Sequence, residues 1–173
     1  MVPSKQSHRF SSCPIAGEHR ATYQRRIDFP MNEEPLATLL KTFPHTRYYS
    51  EWRLLTWHPR GLFDDALADK LIRVIGSEES VEEVPFHRYA DFSGLTHIRL
   101  KIGHVFDVAK LRRGVSEPVK SAFFSDTTVG LGIARMYEAL MEEATIQVRA
   151  FRERTAAAEW LGVPLEILQP SPR

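Results

Sequence analysis

The chain has 173 residues, 43% of them hydrophobic and 26% charged, with a formal net charge of +1; this length suits one domain with its own core, and the near-neutral balance excludes a global field that draws nucleic acid or an anionic membrane. Cys13 is the only cysteine, which excludes an intrachain disulfide and any multi-cysteine metal or redox centre. No apolar run approaches the roughly 20 residues that span a bilayer, and no secretory-type apolar segment stands at the N-terminus, so a cytoplasmic protein without membrane insertion is expected.

Residues 1–33 read as a flexible basic leader. Lys5, Arg9, Arg20, Arg25 and Arg26 face only Glu18 and Asp28 before residue 31, and no helical or alternating pattern persists. A mitochondrial targeting peptide shares such arginines, but no apolar helical face accompanies them here. Residues 34–46 form a short helix and linker. Leu36, Leu39, Leu40 and Phe43 are spaced for one helical face, and Pro44 stops it.

Residues 47–57, "RYYSEWRLLTW", predict a strand bent near Ser50-Glu51. His58-Pro59-Arg60-Gly61 ends it. Over 62–75, Phe63, Ala66, Leu67, Leu71, Val74 and Ile75 share a side, and Gly76 offers a C-terminal cap. Asp64 and Asp65 sit in the first turn as partners of the helix dipole. They do not form a catalytic pair, because adjacent helical residues diverge by about 100°. The acidic stretch 77–83, "SEESVEE", is expected to be a solvated loop.

Two strands are predicted next, over 86–92 and 96–102, with a turn at Ser93-Gly94. In the second, Ile98, Leu100 and Ile102 face one way. If the two form a hairpin, His87 and His97 become cross-strand neighbours, with Asp91 as a conceivable third metal ligand; polar-face residues are the simpler account. Val105, Val108, Ala109 and Leu111 mark a helix ending at Gly114. A short apolar strand follows over 119–124, then a helix carrying Val129, Ile133, Met136, Tyr137, Leu140 and Met141. A last strand covers 146–151. A last helix, 153–162, turns Ala157, Trp160 and Leu161 inward, and 164–173 is a loose tail. Alternating strands and helices in the second half imply parallel strands joined by crossovers.

The stretch "FFSDTTVGLGIARMYEAL", residues 123–140, has the order of a phosphate-cradling loop: strand, polar turn, glycine-bearing helix. Gly130-x-Gly132 lacks the third glycine of a dinucleotide fingerprint and the Lys-Ser/Thr pair of a phosphate loop. The simpler role is close packing of helix on sheet, with Asp126 or Thr127 as the N-cap. Ser125, Asp126, Thr127, Thr128 and Arg135 remain anion or phosphosite candidates. Arg135 is read first as a snorkelling side chain or a partner of Glu138. No His-Glu-x-x-His pattern and no Gly-x-Ser-x-Gly elbow occurs, so no cofactor, metal or enzymatic activity is expected.

"GLGIARMYEALMEEATIQVRAFRERTAAAEWLG", residues 130–162, resembles the closing segment of STAS-like, SpoIIAA-like domains. There a "G-x-A-R-M" helix follows an apolar strand, and a strand ending in Phe precedes a helix ending in "A-x-x-W-L". "YADFSGLTHIRL" resembles the same family's "D-x-S-x-L-x-x-I" strand pair. The likeness covers residues 47–163. It implies an α/β fold, a mixed sheet of four to five strands with about four helices packed mainly on one face. It also implies a non-enzymatic regulatory or protein-interaction domain, partnered by another protein or by itself. Relatives that antagonise anti-sigma factors are switched at a serine in a "D-S-S-G" turn after the central strand. Laid on "DFSGLTHIRLKIG", that turn falls on Arg99, Leu100, Lys101 and Ile102, where no hydroxyl is available. The alternative is a carrier of a small apolar ligand or lipid in a groove beside the sheet, which requires an apolar cavity that a partner-binding surface does not.

Overall fold

The structure, a computed structural model, describes residues 36–81, 85–115 and 118–170. The leader expected over residues 1–33 lies outside the described residues. Helix α1, Ala37–Thr42, buries Leu39, and Leu36 and Phe43 flank it in the core. The expected bent strand is a hairpin: β1, Thr46–Tyr49, runs antiparallel to β2, Leu54–Trp57. A 3₁₀ turn at Ser50–Trp52, closed by Arg53 at φ 46°, makes the bend a full reversal.

Residues 62–64 were expected to open a helix. They belong instead to β3, Gly61–Asp64, because β5 pairs with them. Helix α2 spans Asp65–Val81 and runs straight through Gly76. A glycine inside a helix costs about 1 kcal/mol relative to alanine, and here the added turn delivers Glu79 to two arginines. Most of the "solvated loop" is therefore helix; residues 82–84 lie outside the described residues. The adjacent carboxylates diverge as expected. Asp64 Oδ1 accepts the Leu67 N–H (3.0 Å) at the helix start, and Asp65 Oδ1 accepts the Lys101 N–H (2.9 Å).

Strand β4, His87–Asp91, ends in a 3₁₀ turn, Phe92–Gly94, and β5 covers Leu95–Arg99. They do not form the expected hairpin. Both sides of β4 are taken, by β2 and β6, so the turn carries the chain out of the sheet and β5 pairs in parallel with β3. Helix α3 is Ile102–Arg112. Its first residue, Ile102, is exposed rather than on an inward strand face, and Leu111 is exposed too. Then come β6 (Lys120–Phe124), α4 (Thr128–Leu140), β7 (Gln147–Phe151) and α5 (Arg154–Leu161). These four follow the sequence reading closely, although Val129 points to solvent. Gly162, at φ 78°, closes α5 with its N–H on the carbonyls of Ala158 and Glu159. Residues after it are not loose throughout: Leu165–Leu168 form a 3₁₀ turn, and Leu168 is fully buried.

The main sheet has the order β1-β2-β4-β6-β7, with β1 antiparallel and the rest parallel, so among the described residues β1 and β7 are its edges. Alternation along the strands divides the core. Leu55, Trp57, Ala90 and Phe92 face the side covered by α2, and Phe123 continues that face towards α4. Leu54, Tyr89, Ala122 and Phe124 face α5 and Leu168. Three crossover helices cover one face and a single short helix the other. This is the α/β mixed sheet with helices mainly on one side that the sequence implied. Among the described residues, no helix is long and apolar enough to cross a membrane.

Candidate functional site

Strand β4 lies at the centre of the sheet and sends charge to both faces. Residues 86, 88, 90 and 92 point one way, and 89 and 91 the other. Arg88 faces α2 and α3; Asp91 faces α5.

On the Arg88 side a cavity of about 120 Å³ lies between the sheet and helices α2, α3 and α4. Its walls include Trp57, Phe63, Leu71, Phe92, Val105 and Phe123. Ring contacts run unbroken from Trp57 through Phe63, Phe92 and Phe123 to Tyr137, with centroids 5.5–5.8 Å apart. The space exists because small residues face one another across it: Ala68 on α2, Ala90 and Ser121 on the strands, Ala134 on α4. Its volume is close to that of engineered apolar cavities, about 150 Å³, that hold one aromatic ring.

One end of this space is charged. Arg88 and Arg112 line it, and Phe92 lies four residues further along than Arg88, roughly 13 Å of extended chain. Behind the two arginines, Glu79 of α2 accepts from Arg112 Nη1 and Nη2, both at 2.7 Å, and from Arg88 Nη2. The side chains of Glu79, Arg88 and Arg112 are only 13%, 11% and 5% exposed. Arg88 lies over the Phe86 ring at 5.1 Å, and its Nε–H has no acceptor among the described residues. Burial, followed by the neighbouring Arg112 charge, pushes the Arg88 guanidinium down to about 9, so it is cationic at neutral pH. Burial raises the Tyr137 hydroxyl, which stays protonated beside them.

On the opposite face, at the end of β4, Asp91 is 1% exposed. It accepts from the Ser93 N–H (2.9 Å), the Ser93 hydroxyl (2.6 Å) and Arg154 Nε (2.9 Å). Tyr89 OH is 3.4 Å away. His58 Nδ1 stands 3.6 Å from Asp91, outside hydrogen-bond reach. Burial alone would raise this carboxyl, and the polar contacts of His58, Ser93 and Arg154 outweigh it, holding the group at about 2. Arg154, the first residue of α5, also donates to Ser93 Oγ at 3.0 Å and lies 4.0 Å over the Phe124 ring. The cluster docks α5 onto the sheet.

Asp91 ends the central strand and Phe92-Ser93-Gly94 follow it directly, so the Ser93 hydroxyl stands just after that strand; Arg99 ends β5 and Ile102 opens α3, outside the main sheet.

The other candidates are scattered. Ser125 is 0% exposed, and its Oγ lies 3.2 Å from Thr127 Oγ1. Thr127 is the N-cap, accepting the Gly130 N–H at 3.1 Å. Asp126, Thr127 and Thr128 are exposed. Arg135 sits two turns along α4, about 10 Å from the helix start, and pairs with Glu138 at 2.8 Å on the surface rather than in the core. It borders an open groove in which two arginines, Arg135 and Arg149, are balanced by Glu138 and Glu142. Arg135 and the hydroxyl turn therefore do not converge. Gly130 packs closely, as expected; Gly132 has open space around it. His87 and His97 lie on β4 and β5, which do not pair with each other. The His87 Nδ1 accepts the Lys120 N–H at 3.1 Å, and His97 is exposed. Among the described residues no three His, Cys, Asp or Glu side chains gather as a metal site.

Of the residues that matter most here, Glu79, Arg88, Arg112 and Arg154 were not singled out from sequence, and Asp91 was considered only as a conceivable metal ligand. A signal was present for three. Glu79 follows Leu71 and Ile75 at helical spacing, Arg112 follows Val105 and Val108, and Arg88 interrupts the apolar alternation of Phe86, Ala90 and Phe92. Each is a charge on an apolar stripe.

No protein-family model matches the chain, and no curated protein matches it. Among solved structures, an uncharacterised protein of the DUF3478 family from Shewanella loihica PV-4, with a SpoIIAA-like fold, is similar over 62% of this chain and 83% of its own. The identity is 14% and the TM-score 0.42.

Proposed function

We propose that this protein is a non-enzymatic binding domain that takes a small apolar molecule into the cavity between the sheet and helices α2, α3 and α4. The observation that carries the reading is the cavity itself: a space of about 120 Å³ walled by aromatic and aliphatic side chains. A surface built only to meet another protein has no use for such a space, and filling it would gain packing contacts. Native mass spectrometry of the purified protein tests this. A bound mass that leaves on denaturation is expected. A bare chain that also gives no NMR shifts with benzyl alcohol at the cavity residues would overturn it.

A second, regulatory reading has one observation in its favour. Ser93 ends the central strand within Asp91-Phe92-Ser93-Gly94, and its hydroxyl joins Asp91 to Arg154. A phosphate there keeps Arg154 as a partner and meets Asp91 as a like charge, which loosens the seat of α5. Exposed Ile102 and Phe106, 68% and 49% accessible and four residues apart on α3, offer apolar surface to a protein partner or a second copy. Phosphopeptide mapping of the protein taken from its native cells tests this reading; a Ser93 peptide that is always unmodified counts against it.

A further inference from the structure

Among the described residues, the ion pairs at the end of the cavity are uneven. Two guanidiniums, Arg88 and Arg112, share the single carboxylate of Glu79. Arg112 spends both terminal nitrogens on that carboxylate. Arg88 gives it one, and its Nε–H finds no acceptor among the described residues. Among the described residues lining the cavity there is no Asp or Glu; Glu79 stands behind the arginines rather than in the wall. A buried guanidinium that shares its one counter-ion with a second cation and leaves an N–H without a partner is expensive. A sequence selected only for packing replaces it readily, since a hydrophobic residue of similar volume is often neutral or stabilising in such a place.

We infer that the molecule held in the cavity is a small monoanion, an aromatic or short-chain carboxylate, whose apolar part fills the space and whose carboxylate is received by the free side of Arg88. The inference rests on the cavity-binding reading above. Size and charge each narrow the ligand. The volume admits one ring or a chain of comparable bulk. Among the described residues the two guanidiniums exceed the one carboxylate bonded to them by a single unit, and a dianion such as a phosphate monoester would reverse that difference. Arginine suits the role, because its planar fork matches a carboxylate and it stays charged when buried. The apolar wall from Trp57 to Phe123 accounts for the rest of the molecule. Ser121 and Tyr137, also in the wall, add hydroxyls, and Trp57 an indole N–H.

The test is calorimetric titration of the full chain with benzoate and with benzyl alcohol, a neutral molecule of similar size, in buffer free of other carboxylates. Benzoate is expected to bind about tenfold more tightly, the size of one charge-assisted hydrogen bond. Arg88→Met is expected to abolish that preference, and Glu79→Gln, which unmasks more positive charge, to widen it. Equal affinity for the two probes in the unmodified protein overturns the inference while leaving the cavity reading intact. The preference surviving in Arg88→Met overturns it as well. Binding of neither probe overturns both. The comparison within the unmodified protein needs no variant, so a misfolded Arg88→Met does not remove the test.

Discussion

Glu79 and Arg112, 33 residues apart in sequence, are joined by two parallel hydrogen bonds of 2.7 Å, and the same carboxylate also holds Arg88. This contact ties the last turn of α2 to the end of α3 and to the central strand. Glu79→Ala leaves two buried guanidiniums facing each other, and a loss of about 3–5 kcal/mol is expected in urea unfolding. The triple change Glu79→Leu, Arg88→Met, Arg112→Leu removes all three charges together and is expected to recover most of that loss.

Asp91 links stability to pH. Its native carboxyl titrates at about 2, below the usual 3.8. A group lowered in this way stabilises the fold fully above its unfolded value and loses that contribution as pH falls through the native one. The difference corresponds to about 2 kcal/mol at neutral pH. Urea midpoints measured between about pH 5 and pH 2 are expected to fall steeply in the lower part of that range. In Asp91→Asn the protein is weaker at neutral pH and the fall is shallower. An unchanged slope would show that other carboxylates govern acid unfolding.

The two glycines of α4 separate cleanly. A Cβ on Gly130 would lie 2.3 Å from Ser125 Oγ, itself fully buried, and 3.0 Å from Thr127 Oγ1. Gly132 has nothing within 4 Å of that position. Gly130→Ala is expected to destabilise by about 1–3 kcal/mol through overpacking. Gly132→Ala is expected to stabilise by up to about 1 kcal/mol, from helix propensity alone. Thermal unfolding of the two variants side by side decides it, and equal effects would be inconsistent with the packing at Ser125.

Filling the cavity separates ligand space from a packing defect. Ala68 lines it from α2 and is buried. Ala68→Leu is expected to raise stability by about 1 kcal/mol and to abolish binding of benzyl alcohol, read by NMR. Retained binding would place the site elsewhere.

The second half of the fold was legible because each of its elements has one clean period. Residues 119–124 and 146–151 are short apolar strands, and 128–140 carries its apolar residues at helical spacing, so β6-α4-β7-α5 followed directly. The first half was harder for two physical reasons. Pairing partners decided residues 61–64 and 95–99: local pattern says "strand" or "helix start", but only the crowding of β4 by β2 and β6 sends β5 to β3. Tertiary ion pairs overrode Gly76, since the acids beyond it look solvated until two arginines arrive from 9 and 33 residues away. The site was less legible than the fold. Glycines and hydroxyls near residue 125 draw attention in sequence, yet they serve as a helix cap. The charged residues that line the cavity look ordinary until strand and helix periods are drawn together.

The two margins of the main sheet bear on how this protein behaves when crowded. Strands β1 and β7 are four and five residues long, and each carries an exposed arginine, Arg47 and Arg149. A short, cationic margin is a poor template for another chain's backbone. Self-association therefore has to proceed through side chains, and fibrils that grow strand by strand from the native state are disfavoured.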